Sequence, residues 1–394
     1  MSPLRCGVLG AMMMLPVAAA PPADTERRIQ ELVARMTLDE KIGQMSQSSG
    51  WSSPLSEKDQ AEIRAGRWGS YLNAGTLQDK IAAQRIALKE SRLGIPLLFG
   101  RDVIHGYRTV FPIPLGQAAS WDPALVEAAA RVAAQEAAAD GIHWAFAPMV
   151  DIARDPRWGR IAEGSGEDPY LGSAMSAAVV HGFQGRALDA PGSIAACVKH
   201  YVGYGAAEGG RDYNTAWIPE VLLRNVYLPP FRAARDAGAA TFMSAFEALN
   251  GVPASGNTFT LRKVLRDEWH FDGFVVSDWN SIAEMIPWGY AADESDAALK
   301  GVLGGVDMEM VSTTYYDHLK SLVDAGRIDV RLIDEAVANI LRVKFRMGLF
   351  DRPVEPAKFA MESPESLETA RRLAQESVVL LKNEGAALPL SKSA

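Results

Sequence analysis

An α/β fold, and within that class a closed (β/α)8 TIM-like barrel, is predicted by three observations. Short apolar runs alternate with helical patterns along most of the chain, in roughly seven or eight units before residue 350. Polar residues recur at the ends of those runs, where parallel-strand enzymes keep their chemistry. The length, 394 residues, exceeds one ordinary domain and suits a barrel of about 250 residues or more with a smaller appendage. An open doubly wound sheet is the alternative, but no Gly-x-Gly-x-x-Gly fingerprint follows any of the runs.

Residues 1–20 read as a signal peptide. Arg5 supplies a positive start, Gly7 to Leu15 an apolar stretch, and Val17-Ala18-Ala19-Ala20 a small-residue cleavage site. The apolar stretch is shorter than a bilayer span requires, and no later segment is long enough to make one. The expectation is an exported protein, periplasmic or secreted. Arg5 directly before Cys6 argues against a lipid-anchor box. Loss of the leader would leave Cys197 as the only cysteine, which excludes an intrachain disulfide.

The barrel is expected over residues 24–350. Asp24 or Thr25 can cap a helix whose Ile29, Leu32, Val33 and Met36 share a face, and Thr37-Leu38-Asp39-Glu40 is a capping box opening the next. Asp122-Pro123 combines an N-cap with Pro at N1, followed by an Ala-rich run to Asp140 and a stop at Gly141. Strands are expected at 69–72, 97–99, 144–150, 195–199, 240–245, 274–277 and 306–310, with helices such as 219–237 and 261–269 between them.

Three of these strands end in polar residues: Asp102 follows Leu97 to Arg101, Lys199-His200 closes Ile194 to Val198, and Asp278 closes Phe274 to Ser277. Each alone has a structural explanation. Asp102 could serve a turn, His200 a satisfied core, and Asp278 the cap of a helix starting near Ser281. Their repetition at equivalent positions favours a shared site, with Asp278 as candidate nucleophile. The loop after 144–150 adds Asp151, Asp155, Arg157, Arg160, Glu163, Glu167 and Asp168, pinned by Trp158. Its guanidinium groups could bond vicinal hydroxyls, and Phe111, Trp121, Trp144, Trp158, Trp217, Trp279 and Trp288 offer aromatic faces. That mixture suits a sugar.

A net charge of −8 without a Lys/Arg cluster disfavours a nucleic-acid or anionic-membrane partner. No cofactor is implied, since nothing resembles a nucleotide cradle. No metal is implied either, because the six histidines lack ligand spacing. The expected partner is a small neutral or weakly charged molecule; the oligomeric state is not legible.

Seven segments together carry a resemblance: Gly100-Arg101-Asp102-Val103-Ile104-His105-Gly106-Tyr107, Phe111-Pro112-Ile113-Pro114-Leu115, Asp155-Pro156-Arg157-Trp158-Gly159-Arg160, Gly166-Glu167-Asp168-Pro169-Tyr170, Lys199-His200-Tyr201, Glu208-Gly209-Gly210-Arg211-Asp212-Tyr213-Asn214 and Val276-Ser277-Asp278-Trp279. In order and spacing, from about residue 25 onward, they resemble the family 3 glycoside hydrolases, most nearly the periplasmic bacterial β-glucosidases. The resemblance implies a retaining exo-acting β-glucosidase that removes terminal β-D-glucosyl residues through a covalent glycosyl-enzyme on Asp278. It implies that Asp102, Arg160, Lys199 and His200 bond sugar hydroxyls, and that Trp279 and Met243, with Phe246, line the pocket. Many relatives carry Tyr where Phe246 stands.

The resemblance also implies a gap. Such relatives usually draw their general acid/base from a Glu of a second, α/β sandwich domain. Here Ser377 to Glu384 and Leu388-Pro389-Leu390 resemble the linker and first strand entering that domain, so 351–394 is expected to be a linker and the start of a truncated sandwich. Single-domain β-N-acetylhexosaminidases instead place an Asp-His pair after Lys-His, and Asp212-Tyr213-Asn214 lacks the His. Glu163, Glu208 and Glu247 are the in-chain candidates. Alternatives are a carbohydrate-binding pseudoenzyme or inactive fragment, and a β-xylosidase or transglycosylase.

Overall fold

Eight strands run parallel in one sheet in the computed structural model, which describes residues 23–392. They are β1 (Ser46–Ser49), β2 (Ser70–Leu72), β3 (Leu98–Arg101), β4 (Trp144–Ala145), β5 (Ala195–Tyr201), β6 (Thr241–Ser244), β9 (Phe274–Ser277) and β10 (Glu309–Met310), while β7 (Ala248–Leu249) and β8 (Val252–Pro253) form a separate antiparallel hairpin. The order β10-β1-β2-β3-β4-β5-β6-β9 follows the chain, and a parallel bridge between Val276 and Met308 joins the two ends. Helices packed outside complete a (β/α)8 barrel. The signal-peptide reading lies outside the described residues. Among those residues, no helix is long and apolar enough to cross a membrane.

Aromatic residues fill much of the barrel interior. Trp144 is fully buried, packs edge-on against Phe146 and Phe274, and donates its indole N–H to Thr241 Oγ1 at 2.8 Å. Outside, the Ala-rich helix Pro123–Ala139 lies against Pro169–Gln184. Gly182 makes that approach possible, because a Cβ there would sit 2.5 Å from both Ala130 Cβ and Glu127 O. At the N-terminal ends of β2 and β3, the buried Lys344 ammonium donates to Gln44 Oε1, Gly69 O and Pro96 O at 2.7, 2.9 and 2.7 Å.

The caps behave as their chemistry dictates. Thr37 and Glu40 form the reciprocal capping box, and Asp122 accepts from Leu125 N with Pro123 at N1. Other expectations need correction. Asp24 and Thr25 lie inside helix Ala23–Arg35 rather than capping it. β1 was absent from the predicted strands because Ser46-Gln47-Ser48-Ser49 has no apolar pattern; its Gln47 is buried and donates to Ser70 Oγ at 2.8 Å. Strand β4 ends at Ala145 and not at Val150, although Met149 still bridges Lys199; Pro148 within that run has no N–H to donate. The helix expected over 219–237 widens into a π segment at Leu223–Tyr227, just before Pro229 and Pro230, which cannot donate intrahelical bonds. The stretch Phe259–Glu268 is likewise a π-helix.

After the last barrel helix, Val330–Arg346, the chain climbs the outer wall. Glu362 N donates to Glu136 Oε1 near the C-terminal end of helix Pro123–Ala139, whereas Arg372 reaches its N-cap Asp122. Helix Pro364–Glu376 therefore runs antiparallel to its neighbour. Its Leu373 is fully buried in an apolar cluster with Phe111, Ala118 and Leu125. Ser377 arrives beside Gly116 of helix Pro114–Ala119, and that helix packs against the Gly159–Glu163 turn. Val378 to Leu381, expected as a first strand, belong to no strand or helix and are exposed. Among the described residues no strand pairs with them, as a strand requires.

Candidate active site

Because the strands are parallel, residues just past their C-terminal ends gather on one face. Asp102 follows β3, Asp151 follows the extension of β4, Lys199 and His200 close β5, Glu247 lies beyond β6, and Asp278 follows β9. The strand pairs Arg101↔Ala145, Ala145↔Ala196, Tyr201↔Ser244 and Ser244↔Ser277 hold these ends level. The register of β5 against β6 shifts between Val198 and Tyr201, the interval that holds Lys199 and His200.

Asp278 does not cap a helix. Its Oδ1 accepts from Trp279 N at 2.7 Å, and only a short 3-10 turn, Ala283–Met285, follows. Oδ2 is buried without a hydrogen-bond partner among the described residues, 3.4 Å from His200 Nε2. Burial pushes the Asp278 carboxyl up to about 7, against the pull of Lys199, the Trp279 amide and Arg160. A carboxylate with one oxygen fixed and the other uncommitted can attack carbon as well as accept a proton.

His200 is oriented from both sides. Its backbone N–H and Nδ1 both meet Asp151 Oδ2, at 2.9 and 2.8 Å, and an Arg160 terminal nitrogen lies 3.1 Å from Nε2. Since a guanidinium only donates, Nε2 accepts and Nδ1 carries the hydrogen toward Asp151. Burial, then Arg160 and Lys199, keep the imidazole well below its usual range, so it stays neutral. Burial raises Asp151 to about 7.

Arg160 forms a forked pair with Glu163 at 2.7 and 3.1 Å and lies 5.4 Å from the Tyr204 ring centroid. Lys199, buried, donates from Nζ to Asp102 Oδ1 at 2.9 Å, and the Asp102 side chain is 52% exposed. The loop carrying Arg160 is pinned where Arg154 N donates to Gly205 O at 2.9 Å. A Cβ on Gly205 would lie 2.1 Å from Ile152 O, so only glycine permits that approach.

Asp102, Arg160, Lys199, His200 and Asp278 thus come together as one polar cluster. Trp279 flanks it with 48% of its surface exposed, whereas Met243 is buried within the barrel core. Asp151 was legible only as one charge among seven in its loop; its position after an apolar run was the signal that could have singled it out. Of the candidate acids, Glu163 is committed to Arg160, Glu208 lies on an exposed turn, and Glu247 is entirely buried.

Comparison with known proteins bears on this cluster. A periplasmic beta-glucosidase of Salmonella typhimurium is 43% identical over 380 residues, covering 94% of this chain and 50% of that protein. A putative beta-xylosidase of Formosa agariphila is 35% identical over 398 residues, covering 93% and 52%. The crystal structure of a beta-glucosidase from Listeria innocua in complex with glucose superposes with a TM-score of 0.88 at 43% identity, covering 93% of this chain and 53% of that one. The chain spans about half the length of the curated relatives it matches. Residues 37–343 match the Glycosyl hydrolase family 3 N terminal domain, and with the barrel and the sequence identity this places the chain in glycosyl hydrolase family 3.

Proposed function

We propose that this chain is the nucleophile-bearing barrel of an exported, retaining, exo-acting β-glucosidase. The observation that carries the reading is Asp278: one carboxyl oxygen is held by Trp279 N, and the other has no hydrogen-bond partner among the described residues, with His200 beside it and the charges of Lys199 and Arg160 acting on it. In this reading Oδ2 attacks the anomeric carbon of a terminal β-glucosyl residue while the aglycone oxygen departs with a proton from a general acid. Water then attacks the same carbon, returns a proton to that group and releases Asp278. Asp102, Lys199, Arg160 and His200 bond the sugar hydroxyls, and Trp279 lines the pocket, whereas Met243, packed in the barrel core, supports it from beneath. Charged partners in a dry site strengthen those bonds as charge develops.

The general acid/base is proposed to come from outside this barrel. Glu163 is tied to Arg160, and Glu247 has no exposed atom with which to reach a leaving group. Loss of a positioned acid costs about two to four orders of magnitude for leaving groups that need protonation, and little for good ones. Slow turnover of natural glycosides by the barrel alone is therefore expected. β-Xylosides are a second substrate class, favoured by the name of the Formosa agariphila relative.

The test is incubation with an activated 2-deoxy-2-fluoro-β-glucoside, whose leaving group needs no proton, followed by intact and peptide mass. A glucosyl-sized adduct on the peptide holding Asp278, absent in Asp278→Ala, is the expected result. Glucose binding without any adduct would replace this reading with a sugar-binding barrel or inactive fragment.

A further inference from the structure

Glu247 lies just beyond β6 and is entirely buried. Neither carboxyl oxygen has a hydrogen-bond partner among the described residues. Oε1 rests against the backbone of Gly203, where an added Cβ would sit 3.7 Å away. The side-chain charges that act on it, those of Asp151 and Asp278, are both negative. Asp151 spends Oδ2 on His200, and its Oδ1 is also buried and unpartnered.

Three acids in one dry corner cannot all be ionised, because each unpaired charge pays desolvation and repels the others. The cations nearby, Lys199 and Arg160, act on Asp278 and Asp151. The other titratable groups facing the corner are Asp102 after β3, Glu163 beside Arg160, the neutral His200, and Tyr204 and Tyr213 past β5. Glu247, buried and facing two carboxylates with only its own backbone amide opposing them, is where the proton belongs.

The geometry points to Glu247 as a positioning residue: a protonated carboxylic acid that shares its hydrogen with Asp151 Oδ1, directly or across one water, and so keeps Asp151 an acceptor for the His200 ring. The assignment of this role rests on the reading of Asp278 as nucleophile. While Asp151 accepts from Nδ1, the ring presents only a lone pair at Nε2, which Arg160 meets here and a sugar hydroxyl would meet on binding. No ring hydrogen is then aimed at Asp278 Oδ2, 3.4 Å away. If Asp151 lost Glu247's hydrogen, it would take up a proton more readily and release Nδ1. The opposite tautomer would then donate from Nε2 to the nucleophile and turn Arg160 away.

Two variants separate the roles. Glu247→Gln is uncharged and keeps an N–H donor. Glu247→Met keeps the volume and removes the donor. Labelling of the full chain with the activated 2-fluoroglucoside, measured as a rate against pH, should give Glu247→Gln a profile within about threefold of wild type and with the same acid limb. Glu247→Met should label about tenfold more slowly, with its limb moved to higher pH, as expected for an orphaned buried acceptor. A limb in Glu247→Gln moved down by about a unit or more would mean that an ionised Glu247 had been removed. A wild-type profile in Glu247→Met would reduce the residue to packing. Either result overturns the proposal.

The proton is also read without activity. The infrared difference between wild type and Glu247→Gln should contain a protonated carboxyl C=O stretch that persists from pH 5 to 8, and its absence overturns the proposal even if Glu247→Met does not fold. Wild type that never labels on Asp278, with that stretch present, would sink the nucleophile reading and leave Glu247's proton standing.

Discussion

Replacing Lys199 with Met should move the pH at which the site becomes reactive. Lys199 is buried, donates to Asp102 at 2.9 Å, and is the largest influence holding the Asp278 carboxyl down from where burial pushes it, about 7. The substitution removes that charge and leaves Asp102, which pushes Asp278 up, without its partner. With an effective dielectric of about 20, losing one unit charge at about 6–12 Å is worth about 1–2 pKa units. At pH 7 about half of the wild-type sites hold an ionised Asp278; at a value of about 8–9, about 1–10% would. Adduct formation with the activated fluoroglucoside should therefore slow about 5- to 50-fold at pH 7 and recover toward wild type by about pH 9–10. The assay is the second-order labelling rate from pH 5 to 10 by intact mass, where no proton donor is needed and the limb reports the nucleophile. The rate rises as Asp278 ionises, so the variant limb must lie at higher pH. A variant that is slower by the same factor at every pH would refute the electrostatic argument and leave Lys199 a hydroxyl ligand only.

Asp278→Asn should stabilise the fold at pH 8 and leave it unchanged near pH 4. The native carboxyl titrates near 7 and the unfolded one near 3.8, so between those values the native state binds more protons and wild-type stability falls as pH rises. The full shift corresponds to about 4 kcal/mol, reduced to about 1–3 because Asp151 titrates in the same corner; urea melts at the two pH values check it, and equal shifts at both would contradict it. Gly205→Ala should drive Ile152 and the Arg160 loop outward, with adduct formation falling at least about tenfold while the far-ultraviolet spectrum stays native; unchanged labelling would mean that the loop position is immaterial. Lys344→Met leaves three buried acceptors unsatisfied and should cost about 2–4 kcal/mol in a denaturant titration at pH 7. Burial holds the Lys344 ammonium down at about 7, so between there and its usual value the unfolded chain binds more protons. Wild type should gain on the variant as pH rises above 7, and a gap that narrows instead would place the titration elsewhere.

What the sequence disclosed depended on whether a residue's chemistry is local. Thr37-Leu38-Asp39-Glu40 and Asp122-Pro123 carry their partners within a few positions, and both caps form as read. Strand β9 announces itself through Phe274-Val275-Val276, and Asp278 through its place after them. Strand β1 is invisible to such reading, because Ser46 to Ser49 are held by a polar interior around Gln47 and Ser70. The helix across 219–237 looked continuous by periodicity, but Pro229 and Pro230 decide its geometry through the donors they lack. The roles of Asp151, read as one loop charge among seven, and of Glu247, read as a candidate acid, escaped for a different reason. Beyond the place of Asp151 after an apolar run, their neighbourhood in sequence does not distinguish an ion-pairing carboxylate from one buried beside His200 or one without a partner among the described residues; only the fold brings the three acids together.

The climb of helix Pro364–Glu376 up the outer wall has a consequence for anything attached beyond it. Because Ser377 stands beside the helix that backs the Arg160–Glu163 turn, a group joined there starts its path next to the Asp278 cluster. Over a short flexible tether its effective concentration at that cluster would be on the order of millimolar. A side chain delivered in that way would need almost no intrinsic affinity for the barrel to be present at every encounter with a sugar. The length and stiffness of the tether, more than any interface, would then set how often the group arrives in time.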